Sequence, residues 1–157
     1  LTIRQKILNI RKQFKMAENK NINFNLLKIK TDQYAAFNEN YNHNQIIDLN
    51  TNLSFGLNQE DKVFLVSPKF TFEINKVPFL TIQVSCFFKI EDKSWGGFIK
   101  KKEIIFPKAF VAHMAMITVG TSRGILHSKT EGTPYNELIL PTLNVADMIR
   151  EDIKFDI

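Results

Sequence analysis

The chain has 157 residues, of which 44% are hydrophobic and 24% charged, and its formal net charge is +5. This length suits one domain with its own core. We expect no membrane span, because no run approaches the roughly 18 apolar residues that one needs. Cys86 is the only cysteine, which excludes an internal disulfide and predicts a reducing, cytoplasmic location.

Residues 1–22 predict an N-terminal amphipathic helix or extension. Ile3, Ile7, Ile10 and Phe14 recur at spacings of three and four, with lysine and arginine between them. Polar residues from 17 to 23 end this pattern. We therefore predict a single domain over residues 23–157.

The middle of the chain predicts β-structure. Side chains alternate between apolar and polar near residues 24–31, 46–57, 63–74 and 79–90, which is the period of a strand with one wet face. Pro68 lies inside the third of these segments and predicts a bulge or an edge position, because proline has no backbone N–H to donate. The order predicts a four-stranded antiparallel meander.

The period changes after residue 90. Residues 91–103 (EDKSWGGFIKKKE) predict a flexible crossover that exposes Trp95, Phe98 and Ile99. Replacing Trp95 and Phe98 by serine should then leave the melting temperature nearly unchanged.

Helical spacing follows the crossover. Pro107 suits a first helical turn, and Gly120 or Gly124 would end a long helix there. Asn144 can cap a C-terminal helix whose apolar stripe reaches Ile153. Strands first and helices afterwards indicate an α+β fold, with the long helix and the C-terminal helix packed on one face of the sheet.

Residues 127–130 (His-Ser-Lys-Thr) have the types that active sites use. A serine or threonine nucleophile needs a base within hydrogen-bond reach, and neighbours on an extended loop point apart. We therefore interpret this stretch as a connection between helices. His43, His113 and His127 share no metal-ligand spacing, so we expect no metal, no cofactor and no enzyme activity.

The apolar content exceeds what one sheet and two or three helices are expected to cover. The chain has 14 phenylalanines, and Phe87 lies on the nominally polar face of its strand. Exposed apolar patches of a few hundred Å² usually mark binding or assembly.

Three motifs after the strands resemble the SecB-like protein-export chaperones. They are Phe106-Pro107 at the start of the long helix, Thr121-Ser122-Arg123-Gly124, and Leu140-Pro141-Thr142-Leu143-Asn144. Their order and spacing after four strands match that family over about residues 24–155.

The resemblance implies an ATP-independent holdase that binds unfolded or pre-export polypeptides in aromatic grooves. It also implies self-assembly as a dimer or a dimer of dimers. Carried over by position, Trp95, Phe98 and Ile99 would contribute from the crossover, and Phe55 and Phe87 from the sheet.

This chain departs from the export chaperones in its charge. Those proteins bind the translocase motor through carboxylates on the sheet, whereas the first strand here carries Lys28 and Lys30. The departure argues against motor binding. It leaves room for a dedicated chaperone of one partner, such as an antitoxin.

Two other classes of function compete with the holdase. A nucleic-acid-binding module could use the lysines at 100–102, with Trp95 and Phe98 as stacking platforms. A structural or adaptor protein would consume its apolar patches in self-assembly.

Overall fold

The computed structural model describes residues 22–157, so the predicted N-terminal helix falls almost wholly outside the described residues. The strands and helices are β1 (Phe24–Ala36), β2 (Asp48–Asn58), β3 (Val63–Ile74), β4 (Val77–Ile90), α1 (Asp92–Trp95), β5 (Ile99–Lys100), β6 (Glu103–Phe106), α2 (Lys108–Thr130), α3 (Val145–Met148) and β7 (Ile153–Asp156).

The main sheet has four antiparallel strands, which confirms the α+β fold class. Its strand order is β1-β4-β3-β2. The meander is therefore correct for β2 to β4 and wrong for β1, which lies beside β4. Eleven residues connect β1 to β2, enough for β1 to cross to the far edge, while the most continuously apolar strands, β3 and β4, occupy the centre.

The two faces of the main sheet differ in chemistry. On the inner face, Phe64 pairs with Phe88 across β3 and β4, and both are fully buried beneath α2. On the outer face, the Ser85 hydroxyl donates to Asp32 and contacts the Ser67 hydroxyl at 2.9 Å. The core therefore lies between the inner face and α2.

Pro68 occupies a central strand, and the predicted bulge or edge position is wrong. The pairing of β3 with β4 skips residues 67 and 68 and resumes in the same register. Side chains bridge the strands there, since Gln83 Nε2 donates to Ser67 Oγ at 3.0 Å.

The long helix continues past both predicted stops. Helix α2 has 23 residues and passes through Gly120 and Gly124 to end at Thr130, two residues before Gly132, whose φ is +73°. A glycine inside a helix costs about 1 kcal/mol relative to alanine. Burial of later side chains such as Leu126 offsets that cost.

Arg123 joins two of the motifs that the sequence analysis singles out. Its Nε donates to the Leu140 carbonyl oxygen at 2.7 Å, and its Nη2 donates to the Pro141 carbonyl oxygen at 3.0 Å. The planar guanidinium suits this double contact. The end of α2 and the start of the C-terminal segment are thereby held together.

The predicted C-terminal helix is only one turn long. Val145 and Ile149 are buried around it, but Ile153 and Phe155 then alternate as a strand, β7. Strand β7 pairs with β6 in a small second sheet of order β5-β6-β7. The sequence does not predict this sheet, because its strands have two to four residues and are too short for an alternating pattern to be recognised.

By length and hydropathy alone, α2 is a candidate membrane span, although no such segment is predicted from the sequence. The helix lies over the main sheet, where Val111, Met114 and Ala115 are completely buried. A helix at the core of a domain has the same hydropathy, and this packing accounts for it.

We predict opposite outcomes for two methionines of α2. Met114 is fully buried and Met116 is 53% exposed. Met114→Ala should lower the free energy of unfolding by about 2–5 kcal/mol, because it leaves a cavity. Met116→Ala should change it by about 0.5 kcal/mol or less. Urea denaturation measures both, and equal losses would contradict the described orientation of α2.

Candidate functional site

An open groove lies where the crossover, the start of α2 and the start of β1 meet. Its volume is about 790 Å³, within the range of about 300–1,000 Å³ common for ligand pockets. The residues that line it are Ile22, Phe24, Lys93, Ser94, Gly97, Phe98, Pro107, Ala109, Phe110 and His113. Most of this lining is apolar, with Lys93 as its cationic group and Ser94 and His113 as its other polar side chains.

The first wall of the groove is the segment that leads into β1, and backbone hydrogen bonds of Asn23 hold it in place. The Asn23 N–H donates to the Ser94 hydroxyl at 3.0 Å, and the Asn23 carbonyl oxygen accepts from the Glu91 N–H at 3.0 Å. The chain that precedes β1 is thereby attached to the crossover, so residue 22 lies in the groove itself.

The second wall, the crossover, is attached to the sheet by an ion pair. Lys62 Nζ lies 2.7 Å from Asp92 Oδ1 at the start of α1. This hydrogen bond and the lysine charge hold the pKa of the Asp92 carboxyl below its usual range. The carboxylate is therefore retained at mildly acidic pH, when an ordinary aspartate begins to protonate.

The third wall is the first turn of α2, which rests on aromatic rings. Phe110 lies 5.4 Å from Phe98 and 6.1 Å from Phe24, measured between ring centroids. The preceding Ala109 and the following His113 are exposed on the groove side. The aromatic contacts thus fix the helix, and small or polar side chains leave the groove open.

The predicted exposure of the crossover is correct for one residue and wrong for two. Trp95 is 7% exposed and Phe98 is 4% exposed, whereas Ile99 is 43% exposed. Residues 92–98 form a short helix and a 3₁₀ turn instead of a flexible loop. This turn directs both rings toward Phe106, at 6.3 Å and 4.7 Å.

Phe55 and Phe87 lie on opposite faces of the main sheet. Phe55 stacks on Phe64 at 6.0 Å on the inner face. Phe87 is half-buried on the outer face, with Lys28 Nζ 5.6 Å from its ring centroid. Of the five predicted binding residues, only Phe98 lines the groove, so they do not form one surface.

Four residues of the groove lining are not predicted from the sequence: Ile22, Phe24, Ala109 and His113. Phe24 opens the first predicted strand, but the period indicates only that its side faces the core. Ala109 and His113 lie four residues apart on one side of α2, which is a detectable spacing. No pattern could show that no element within residues 22–157 covers this side.

The stretch at 127–130 lies in α2, not in an extended loop. Thr130 is buried and its hydroxyl donates to the Leu126 carbonyl oxygen at 2.8 Å, while Ser128 is exposed. The Asn136 side-chain amide donates a hydrogen bond to the His127 carbonyl oxygen at 3.1 Å. The interpretation as a connection between helices is therefore wrong for residues 127–130, which form the last turn of α2.

Residues 22–157 offer little support for metal binding or for nucleic-acid binding. Across that range, no group of three or more His, Cys, Asp or Glu side chains could hold a metal ion. The nucleic-acid hypothesis loses its stacking platforms, because Trp95 and Phe98 are buried. The lysines at 100–102 belong to the exposed β5–β6 turn.

Comparison with known proteins gives only distant likenesses. No protein-family model matches the chain, and no curated protein matches its sequence. The chain is similar to a solved SecB-like chaperone of Mycobacterium tuberculosis in complex with an antitoxin peptide, with 14% identity and a TM-score of 0.45 over 85% of this chain and 97% of that one. It is also similar to a Streptococcus agalactiae protein of unknown function, with 15% identity and a TM-score of 0.35 over 76% of this chain and 98% of that one.

We predict that the crossover aromatics stabilise the domain. Phe98→Ser should lower the free energy of unfolding by about 3–5 kcal/mol, because it removes a ring buried between two others. Ile99→Ser is the control next to it and should cost about 1 kcal/mol or less, since Ile99 is partly exposed. Thermal or urea unfolding compares the two, and an unchanged midpoint for Phe98→Ser would restore the exposed-loop interpretation.

Proposed function

We propose that this protein is an ATP-independent chaperone that binds unfolded polypeptide segments in the groove beside β1. The groove itself carries the proposal, because it is open, mainly apolar and lined from three separate elements. Shallow apolar contacts give affinity without demanding one sequence, at about 25 cal/mol per Å² of buried apolar surface. The motif resemblance to SecB-like chaperones supports the same conclusion from the sequence.

The edge strand β1 supports the proposal with a second kind of contact. As the outermost strand of the sheet that residues 22–157 form, it leaves backbone groups on one side without a neighbouring strand from that range. Leu26, Leu27 and Ile29 on this strand are 43%, 62% and 47% exposed. An extended client can add to such an edge through main-chain hydrogen bonds, which are independent of sequence. Phe24 joins this edge to the groove.

We propose self-assembly through the solvent-facing side of α2. Met116 is 53% exposed, and Gly120 and Gly124 are exposed on the same side. A Cβ atom added at either glycine would meet nothing within 4 Å among residues 22–157, so packing inside that part of the chain does not require either glycine. Glycine allows a neighbouring backbone to approach closely. A second copy of α2 would use that space.

The groove predicts a specific loss of client binding for Ala109→Glu. The added carboxylate would face apolar client side chains without a partner, and we expect binding at least about tenfold weaker. Stability should hold, because a negative charge suits the first turn of a helix. Ser128→Glu places the same charge on the same helix away from the groove and should bind normally.

Binding can be measured with a permanently unfolded, reduced and carboxymethylated protein, and holdase activity by light scattering of a client diluted from denaturant. A peptide from an antitoxin is a suitable second client for testing a dedicated role. Failure to suppress aggregation at one client per assembled chaperone would reject the proposed function. Equal binding by both variants would move the client site out of the groove.

The solvent-facing side of α2 predicts a separate effect on assembly. Gly120→Gln with Gly124→Gln should reduce the oligomer by blocking close helix approach. The monomer should gain stability by about 0.5–1 kcal/mol per site, since glutamine is the better helix former. Light scattering coupled to size-exclusion chromatography measures the mass. An unchanged mass would exclude this side of α2 as the interface.

A further inference from the structure

We propose that the chain's own N-terminal segment, residues 1–21, docks in the groove and competes with clients. This inference rests on the proposed function for its regulatory meaning, although the docking can be tested by itself. Its starting point is that Ile22, the residue next to the segment, already lines the groove.

The attachment at Asn23 directs the preceding chain toward the groove. Both backbone hydrogen bonds of Asn23 go to the crossover wall, at residues 91 and 94. The eight steps from Ile22 back to Phe14 span at most about 29 Å. Residues 17–21, which are mostly polar, lie between Phe14 and Ile22. Phe14 and Ile10 are therefore within reach of the groove.

The chemistry of the segment matches the groove lining. Ile3, Ile7, Ile10 and Phe14 recur at spacings that would align them as one apolar stripe. Phe24 offers the most exposed ring on the groove walls, since Phe98 and Phe110, which also line the groove, are only 4% and 7% exposed. Its volume of about 790 Å³ accommodates a few large side chains instead of a folded partner.

Charge distinguishes this segment from the rest of the chain. Six of the 21 lysines and arginines, but only one of the 16 acidic residues, lie in residues 1–21. The whole net charge of +5 therefore belongs to the segment, and residues 22–157 are balanced. With the stripe in the groove, the basic side chains between the apolar positions would remain in water and avoid Lys93 and His113.

The covalent tether favours this occupant over a second copy or a free client. A tether of a few residues gives an effective concentration in the millimolar range. A segment with an intrinsic dissociation constant near 1 mM would thus fill its own groove much of the time. Client affinity would fall by about two- to tenfold, according to the fraction of grooves that are open.

The test uses the full chain with a charge-matched pair of variants. Ile10→Asp with Phe14→Asp places two carboxylates in the stripe. Asn9→Asp with Gln13→Asp adds the same two charges beside it. Both variants leave residues 22–157 unchanged.

Amide chemical shifts report docking without any client. We expect Gly97, Ala109 and His113 to shift in the stripe variant and to stay near wild type in the control. The pattern should persist on tenfold dilution, since the contact lies within one chain. Absent shifts overturn the docking, as do equal shifts in both variants. Loss of the difference on dilution assigns the groove to the segment of a second copy and also overturns it.

Client binding then tests the competition. The stripe variant should bind the carboxymethylated unfolded protein about two- to tenfold more tightly than the control. Groove shifts with no client binding by any variant would support the docking and reject the proposed function. Client binding without groove shifts would support the proposed function and reject the docking.

Discussion

The ring of Phe106 is the contact on which the rest of this structure depends. It lies 4.6 Å from Phe64 in the main sheet, 4.7 Å from Phe98 in the crossover and 5.9 Å from Phe110 in α2. It also meets Phe155 of β7 at 6.0 Å. One buried ring therefore connects both sheets, the crossover and the long helix, and the groove walls are as firmly placed as the core behind them.

Much of the fold follows from period alone. Strands β2, β3 and β4 are correct because each has about a dozen residues of consistent spacing, and Pro107 marks the start of α2. For β1 the period predicts only residues 24–31, whereas the strand continues to Ala36. The errors occur where a local signal competes with burial. Gly120 and Gly124 predict a helix end, yet α2 continues because its other side lies on the sheet. Ile153 fits a helical stripe, yet it pairs in β7.

The groove could be predicted only in part. The resemblance directs attention to the crossover, and Phe98 does line the groove. The predicted exposure of Trp95 is wrong because a glycine-rich, lysine-flanked stretch predicts a loop in solvent, whereas its ring packs against Phe106 of β6. Periodicity reports which side of an element is apolar, but not whether another element covers it. Ala109 and His113 are exposed because of how the other elements of residues 22–157 are arranged, which the sequence of α2 alone does not show.

The pairing of β1 with β4 has a consequence for folding during synthesis on the ribosome. Phe24 lies opposite Ile90, 66 positions later in the chain. At about 5–20 residues per second, the ribosome releases β1 several seconds before its neighbour exists. Throughout that interval the strand that carries Leu26, Leu27 and Ile29 has no partner for its backbone hydrogen bonds. The rate of synthesis is therefore a variable in the yield of folded protein.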